Sequence, residues 1–430
     1  MRRLSRFGMS QEFEKRLRPF MDTERFVLPE AVDFVLERLN SRGFEAYVVG
    51  GSVRDHLMGR VPSDYDVTTN ARPHQMKDVF SDCRVVETGL QHGTLTVVLR
   101  GMNIEVTTYR VDGAYDDGRH PNEVTFTASL EEDLCRRDFN VNAIAYSPRD
   151  GFVDPFDGRG DILRQRIACV GDPVKRFSED ALRILRAVRF SSALGFSIDK
   201  DTADAVNEMY SSLSLISRER IYQELTKLIL GQSAREVMEG FSHVIAYAMN
   251  PSGSFLTSED VRKAAGFMEG TSAYAEMRYA MIFGIGKDEE TSRAAAKEVY
   301  GSLKPSRKSM NDVMAFIESR FADTSDEYTL KKLMGRYGEA FPEDLILFRR
   351  TVGFIDESEY IKEKEAYRIL KEMKPCVTVG ELAVNGGDAS AAGLKGAEIG
   401  RALSALLDGV MRGEFHNERE ILLRKLAEFR

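Results

Sequence analysis

Apolar positions recur at helical spacing from Ala31 to Leu39, and the apolar run Ala46 to Val49 that follows ends on Gly50 and Gly51. This pattern predicts a helix, a short strand and a tight turn opening a second helix over Ser52 to Met58. Tyr65 to Thr69, Thr94 to Leu99 and Ile104 to Thr108 are rich in Val, Thr and Ile and are separated by glycine or polar turns. They predict three further strands. Beyond Ile167 the period changes. Glu179 to Leu194 and Arg218 to Leu230 carry apolar residues at helical steps, and alternating β-branched runs nearly vanish. The expected fold class is an α/β N-terminal domain followed by an all-α remainder. Turn signals at Pro251-Ser252-Gly253-Ser254, Lys304-Pro305-Ser306 and Lys374-Pro375 interrupt the helical part.

The 430 residues, 43% of them hydrophobic, allow several cores rather than one. A net charge of −8 excludes a protein that coats nucleic acid by charge alone. It leaves room for a local basic face, since seven Lys or Arg stand against four Asp or Glu between Gly160 and Phe190. Cys83, Cys135, Cys169 and Cys376 are scattered without metal-ligand or disulfide-scaffold spacing, so reduced thiols are expected. Arg2, Arg3 and Arg6 near the start are not followed by the apolar run of a secretory signal, and Glu12 and Glu14 argue against a transit peptide. No stretch approaches the ~18 apolar residues of a membrane span. A cytoplasmic protein without a membrane partner is expected, and the sequence implies no protein partner.

Asp64 and Asp66 flank Tyr65, and in a strand that spacing puts both carboxylates on one face, about 6.5–7 Å apart, with Tyr65 and Val67 toward the core. Paired carboxylates beside an incoming polyphosphate suit Mg²⁺, which keeps several waters and binds through few protein ligands. Glu105, between Ile104 and Val106, is the candidate third ligand of a two-metal clamp. Gly50 and Gly51 open a helix whose N–H groups and dipole can hold triphosphate oxygens, with Arg54 in its first turn. Taken alone, the Asp pair also fits a solvated turn, the glycines a plain tight turn, and Arg54 a pair with Asp55 or Asp64. Glu105 also fits a strand-edge role. His92, ahead of a strand, reads as a turn residue rather than a catalytic base. A helix from Glu179 would turn Leu182, Leu185 and Val188 inward and set Glu179, Asp180 and Arg183 on a neighbouring face, where Glu179 and Arg183 also fit an ordinary i,i+4 pair.

The run Gly50 to Arg60, followed by Asp64 and Asp66, resembles motif A of the polymerase-β-type nucleotidyltransferases, which include the class II tRNA nucleotidyltransferases and bacterial poly(A) polymerases. Arg136 to Ala143, Glu179 to Phe190 and Ile216 to Ile221 resemble further motifs of that family in order and spacing. Glu381 to Asp388 resembles the tail of the Firmicutes-type CCA-adding enzymes, so the resemblance spans nearly the whole chain, patchily between 235 and 370. Asn140 departs from the family's usual Thr or Ser.

The resemblance implies an N-terminal extension (1–25), a palm-like nucleotidyltransferase head (26–163), a helical neck with a nucleotide-selecting helix (164–232), a helical body (233–372) and a tRNA-binding tail (373–430). It implies template-independent addition of C and A to the 3′ end of tRNA from CTP and ATP, with release of pyrophosphate. On this reading Asp64, Asp66 and Glu105 hold Mg²⁺, and Gly50, Gly51, Arg54 and Arg137 hold the triphosphate. Asp138 and Asn142 select ribose, Asp180 and Arg183 form the protein template, and Glu179 joins the nucleotide-binding set. Arg186 and Arg189 face triphosphate or RNA backbone. Ionised Asp accepts and Arg donates, so cytosine and adenine match the pair while uracil and guanine present the opposite polarity. The tail's Lys395, Arg401 and Arg412 would reach phosphate, and its Asn385 to Asp388 turn and Asn417 share the family resemblance.

A poly(A) polymerase is disfavoured because Thr88 to Thr94 lacks that group's Gly-Arg-Arg stretch. A CC-adding enzyme is disfavoured because the loop Tyr115 to Pro121, which such enzymes lose, is intact. An A-adding enzyme stays open. A non-catalytic tRNA-binding protein would have no use for so many carboxylates in an anion-binding groove.

Overall fold

The computed structural model describes residues 25–90, 93–112, 124–269 and 274–429; His92, the loop Tyr115 to Pro121 and nearly all of the expected N-terminal extension lie outside the described residues. The chain divides between Ser258 and Glu259 into two compact units.

In the first unit the predicted β-rich runs assemble one mixed sheet. Its strands are β1 (Ala46–Val49), β2 (Tyr65–Thr69), β3 (Arg84–Val86), β4 (Thr94–Leu99) and β5 (Met102–Thr108), while β6 (Arg110–Asp112) and β7 (Val124–Phe126) form a separate hairpin. Strands β8 (Ala145–Ser147) and β9 (Gly151–Val153) complete the sheet in the order β3-β4-β5-β2-β1-β8-β9. All four residues of β1 are buried, which explains its unbroken apolar run at the centre. β2 alternates at its start, burying Tyr65 and Val67 and leaving Asp66 outward. The β2–β5 pair is parallel and sets Asp66 opposite Glu105. The helix Glu30–Ser41 buries Ala31, Val32, Val35, Leu36 and Leu39, the stripe its spacing predicted.

Strands β3, β8 and β9, of three residues each, were not apparent in the pattern, because so short a run carries too little alternation. The helical region beyond Ile167 holds one correction. The expected helix Glu179 to Leu194 is two helices, Pro173–Glu179 and Leu182–Leu194, parted at Asp180, whose backbone is extended. Its carboxylate accepts from the Leu182 N–H at 3.0 Å. That local bond offers the backbone an alternative to continuing the helix.

The second unit is helical throughout its described residues. Leu330, Met334, Ile346, Ile355, Tyr367 and Leu370 form one core cluster. A separate cluster of Leu382, Val384, Ala389, Leu394, Ala402, Leu403, Leu406, Leu422 and Leu426 holds the end of the chain. Asn385 caps the helix Gly386–Ala391 in a reciprocal box with Asp388. Arg419 grips Asp388, and the Asn417 amide donates to the Glu381 carbonyl at 2.9 Å. The turn residues that resemble the family's tail thus build this small fold. Arg412 is engaged by Asp408 and the Tyr328 hydroxyl, while Lys395 and Arg401 stay exposed.

Candidate active site

An open cleft of 660 Å³ in the first unit is lined by Gly50, Gly51, Arg54, Asp64, Asp66, Arg137, Asp138, Asn142, Asp180, Arg183, Arg186 and Arg189. Of the expected site residues, Glu105 and Glu179 are the two outside this lining. A larger hollow of 1190 Å³ in the second unit has a mixed lining of Lys, Arg and Glu and contains none of them.

Gly50 adopts φ 74° and ψ −129°, a conformation that side chains resist. A Cβ there would also come within 3.2 Å of an Arg137 guanidinium nitrogen. The helix Gly51–Leu57 begins at this turn and carries Arg54 into the cleft. Arg54 donates to Asp55 at 2.8 Å, the ordinary pairing its sequence allowed, and also to the Asn142 side-chain oxygen at 2.6 Å.

From Asn142 a chain of polar contacts crosses the cleft. The Asn142 amide donates to one Asp138 oxygen at 3.1 Å, and Arg186 donates to the other at 2.5 Å. Burial works to raise the Asp138 pKa, but the Arg186 charge and the Asn142 bond outweigh it and hold the carboxyl down to about 2. Arg189 donates to Glu224 at 2.8 Å, with its guanidinium 3.4 Å from the Phe190 ring centre. Arg186 and Arg189 therefore line the cleft while being held by carboxylates. Asn140 points away and donates to the fully buried Asp161 at 2.9 Å, which leaves Asp138 and Asn142 as the polar pair of that segment in the lining.

Asp64 and Asp66 belong to the same lining. The Asp66 side chain is open to the cleft yet set deep among protein atoms. Desolvation first, then the charges of Glu105 and Asp64, push its pKa up to about 6 against the pull of Arg137. Arg137 donates to the fully buried Asp133 at 3.3 Å, and its buried Nε has no hydrogen-bond partner. Asp133 also takes the Thr68 hydroxyl at 3.1 Å, tying Arg137 to the strand that carries Asp66. Among the described residues no three carboxylate, imidazole or thiol groups gather as a ready-made metal cage. The donor set fits a hard divalent cation all the same: two carboxylates line the cleft with a third charge in register, and their mutual repulsion adds to burial in raising Asp66.

Asp180 and Arg183 both line the cleft but do not meet as a helical i,i+3 pair would. Arg183 donates to Glu179 at 2.6 Å and to the Arg176 and Arg136 carbonyls at 3.1 Å each. The expected i,i+4 Glu–Arg pair is therefore present, and it anchors Arg183. Asp180 accepts instead from Arg220 at 2.8 Å. Arg220, inside the Ile216 to Ile221 motif, and Lys227 are both in the lining, though the sequence assigned neither a role. Their signal was the seven-residue spacing along Arg218–Ile229, with Glu224 between them on the same face.

Comparison with known proteins follows this geometry. The Poly A polymerase head domain family matches residues 46–168, and the probable RNA and SrmB-binding site of polymerase A matches 195–243. A CCA-adding enzyme of Limosilactobacillus fermentum is 33% identical over 92% of this chain and 95% of its own length. One from Geobacillus thermodenitrificans is 35% identical over 92% and 95%. The crystal structure of the Bacillus stearothermophilus CCA-adding enzyme in complex with CTP aligns with a TM-score of 0.78 at 31% identity, covering 92% of this chain and 96% of that one.

Proposed function

This chain belongs to the family of CCA-adding enzymes, and we propose that it extends the 3′ end of tRNA with C and A from CTP and ATP, releasing pyrophosphate, with the roles of its side chains as follows. The observation that carries the reading is the joining, in one cleft, of the Asp64–Asp66 carboxylates with the separately anchored Asp180 and Arg183. The head (26–163) supplies the reacting groups and the neck (164–232) the base-selecting ones, while the body (233–372) and tail (373–430) hold tRNA. The cytoplasm is the compartment such work assigns to it, and no described helix is long and apolar enough to cross a membrane.

Asp64, Asp66 and Glu105 would hold Mg²⁺, which when bound lowers the pKa of the RNA 3′-hydroxyl and neutralises charge on the leaving pyrophosphate. The Gly51 N–H, Arg54 and Arg137 position the triphosphate for in-line attack at its α-phosphorus, and the unpartnered Arg137 Nε is a donor available to a phosphate oxygen. Asp138, ionised and fixed between Asn142 and Arg186, accepts from the ribose 2′-hydroxyl. Asp180 accepts from cytosine N4 or adenine N6 while Arg183 donates to the ring nitrogen beside it. Uracil and guanine would set groups of the wrong polarity against both partners, which is costly.

The deciding assay is Mg²⁺-dependent incorporation of labelled CTP and ATP, each alone and both together, into tRNA lacking its 3′ end. Addition of CCA only when both are present supports the reading. Incorporation of one nucleotide alone on every acceptor marks a CC- or A-adding enzyme, and none at all overturns catalysis.

Glu105→Gln tests the third ligand. Removing its negative charge takes away one of the two charges that raise the Asp66 pKa, so in the metal-free chain Asp66 should ionise at lower pH than in the parent. Half-saturation should need about tenfold more Mg²⁺. An unchanged Mg²⁺ titration would remove Glu105 from the ligand set. Deleting 373–430, which has a core cluster of its own, should weaken binding of full tRNA by about tenfold and of a short acceptor minihelix much less. Equal losses on both RNAs, measured by filter binding, would count against a tail that grips the distant tRNA body.

A further inference from the structure

An acceptor and a donor of opposite charge, three residues apart in one cleft, have an obvious alternative to reading a base: they can pair with each other. Asp180 and Arg183 are kept from doing so by separate anchors. Arg183 is held by Glu179 and two carbonyl oxygens. Asp180 is held on one oxygen by the Leu182 N–H at 3.0 Å and on the other by Arg220 at 2.8 Å. Each carboxylate oxygen keeps a second acceptor site, so the clamp orients Asp180 without using up its capacity to accept from a base.

The helix Arg218–Ile229 that supplies Arg220 is a rigid platform. It buries Ile221, Leu225, Leu228 and Ile229, and one turn on from Arg220 its Glu224 grips Arg189 of the helix Leu182–Leu194. The Arg220 guanidinium therefore arrives in a fixed orientation, and its Nη1 is buried without a hydrogen-bond partner. The Asp180 backbone is tied on both sides, its N–H to the Arg176 carbonyl at 3.4 Å and its carbonyl to the Arg183 N–H at 2.9 Å, so what Arg220 adds is the aim of the side chain.

We propose that Arg220 is a positioning residue for base selection: it holds Asp180 apart from Arg183 and aimed at the base, so that the pair reads hydrogen-bond polarity instead of neutralising itself. The proposal rests on Asp180 and Arg183 being the base-reading pair. Loss of Arg220 should therefore change which nucleotides are chosen, beyond any general loss of rate.

The test is kcat/KM for all four nucleoside triphosphates on one trimmed tRNA, with the full-length chain at saturating Mg²⁺. Arg220→Gln is expected to lower the preferences for CTP over UTP and for ATP over GTP by about tenfold each. Arg220→Lys, which keeps the charge but loses the planar fork, should lose about threefold. Combined with Asp180→Ala, Arg220→Gln should cause no further loss of preference, since the residue it positions is already gone. If Arg220→Gln slows all four nucleotides equally, or erodes selectivity further in the absence of Asp180, the proposal is overturned. Where Arg220→Gln does not fold, Arg220→Lys decides, and an unchanged ranking in it overturns the proposal. If Asp180→Ala alone leaves the ranking unchanged, the base-reading assignment itself fails and the proposal falls with it, an outcome distinct from failure of the Arg220 variants alone.

Discussion

Asp66→Ala should lower nucleotide addition by at least about a thousandfold while leaving tRNA affinity within a few-fold of the parent chain. Asp66 points outward from a strand whose alternate residues, Tyr65 and Val67, supply the core packing, so its loss opens no cavity. Removing it also relieves a repulsion, since Glu105 and Asp64 both disfavour its charge in the folded chain. The variant is thus expected to fold at least as stably as the parent when metal is withheld, and to fail only at the reaction. Asp64→Ala should behave alike. Single-turnover addition to trimmed tRNA, paired with filter binding and a thermal melt, separates these effects. Ordinary turnover in either variant would remove the carboxylates from the metal site.

The second large effect belongs to base choice. Asp180→Ala removes the acceptor for cytosine N4 and adenine N6, and a charge-assisted hydrogen bond is worth roughly 1.5–3 kcal/mol, so discrimination against UTP and GTP should drop about ten- to a hundredfold. Arg183→Ala should depress CTP and ATP use together, because both bases offer it a ring-nitrogen acceptor. It should also cost stability, since it leaves Glu179 with only Arg176 as an ionic partner. The readout is kcat/KM for all four nucleotides. A uniform slowing by Asp180→Ala, with the ranking preserved, would reduce Asp180 to a structural partner of the helix start.

Much of this arrangement was legible in the chain because it is local. The strand before Gly50, the outward Asp66 and the stripe of the helix Glu30–Ser41 follow from spacing alone, and in each the buried set is the one the pattern marked. Glu105 was named only as a third carboxylate from a neighbouring strand; that β5 pairs with β2 and sets it opposite Asp66 is a finding of the structure. What stayed hidden depends on partners distant in sequence. Asp180 lies 40 residues from Arg220, and nothing local announces the bond between them. The helix break at Asp180 was missed for a related reason. Apolar periodicity runs through it from Phe177 to Leu185, and only a single side-chain-to-backbone bond decides against continuity. Asp133 was not read from the sequence at all, although four different groups converge on it from three parts of the chain.

Two carboxylates of the cleft lining are tuned to opposite ends of the acid range, Asp138 to about 2 and Asp66 to about 6. Mild acid therefore reaches one and spares the other. Between those limits the metal-free protein takes up a proton at Asp66 while Asp138 keeps its charge and its grip on Arg186. In the absence of metal, gentle acidification would discharge the carboxylate meant for the cation while the nucleotide seat stays furnished.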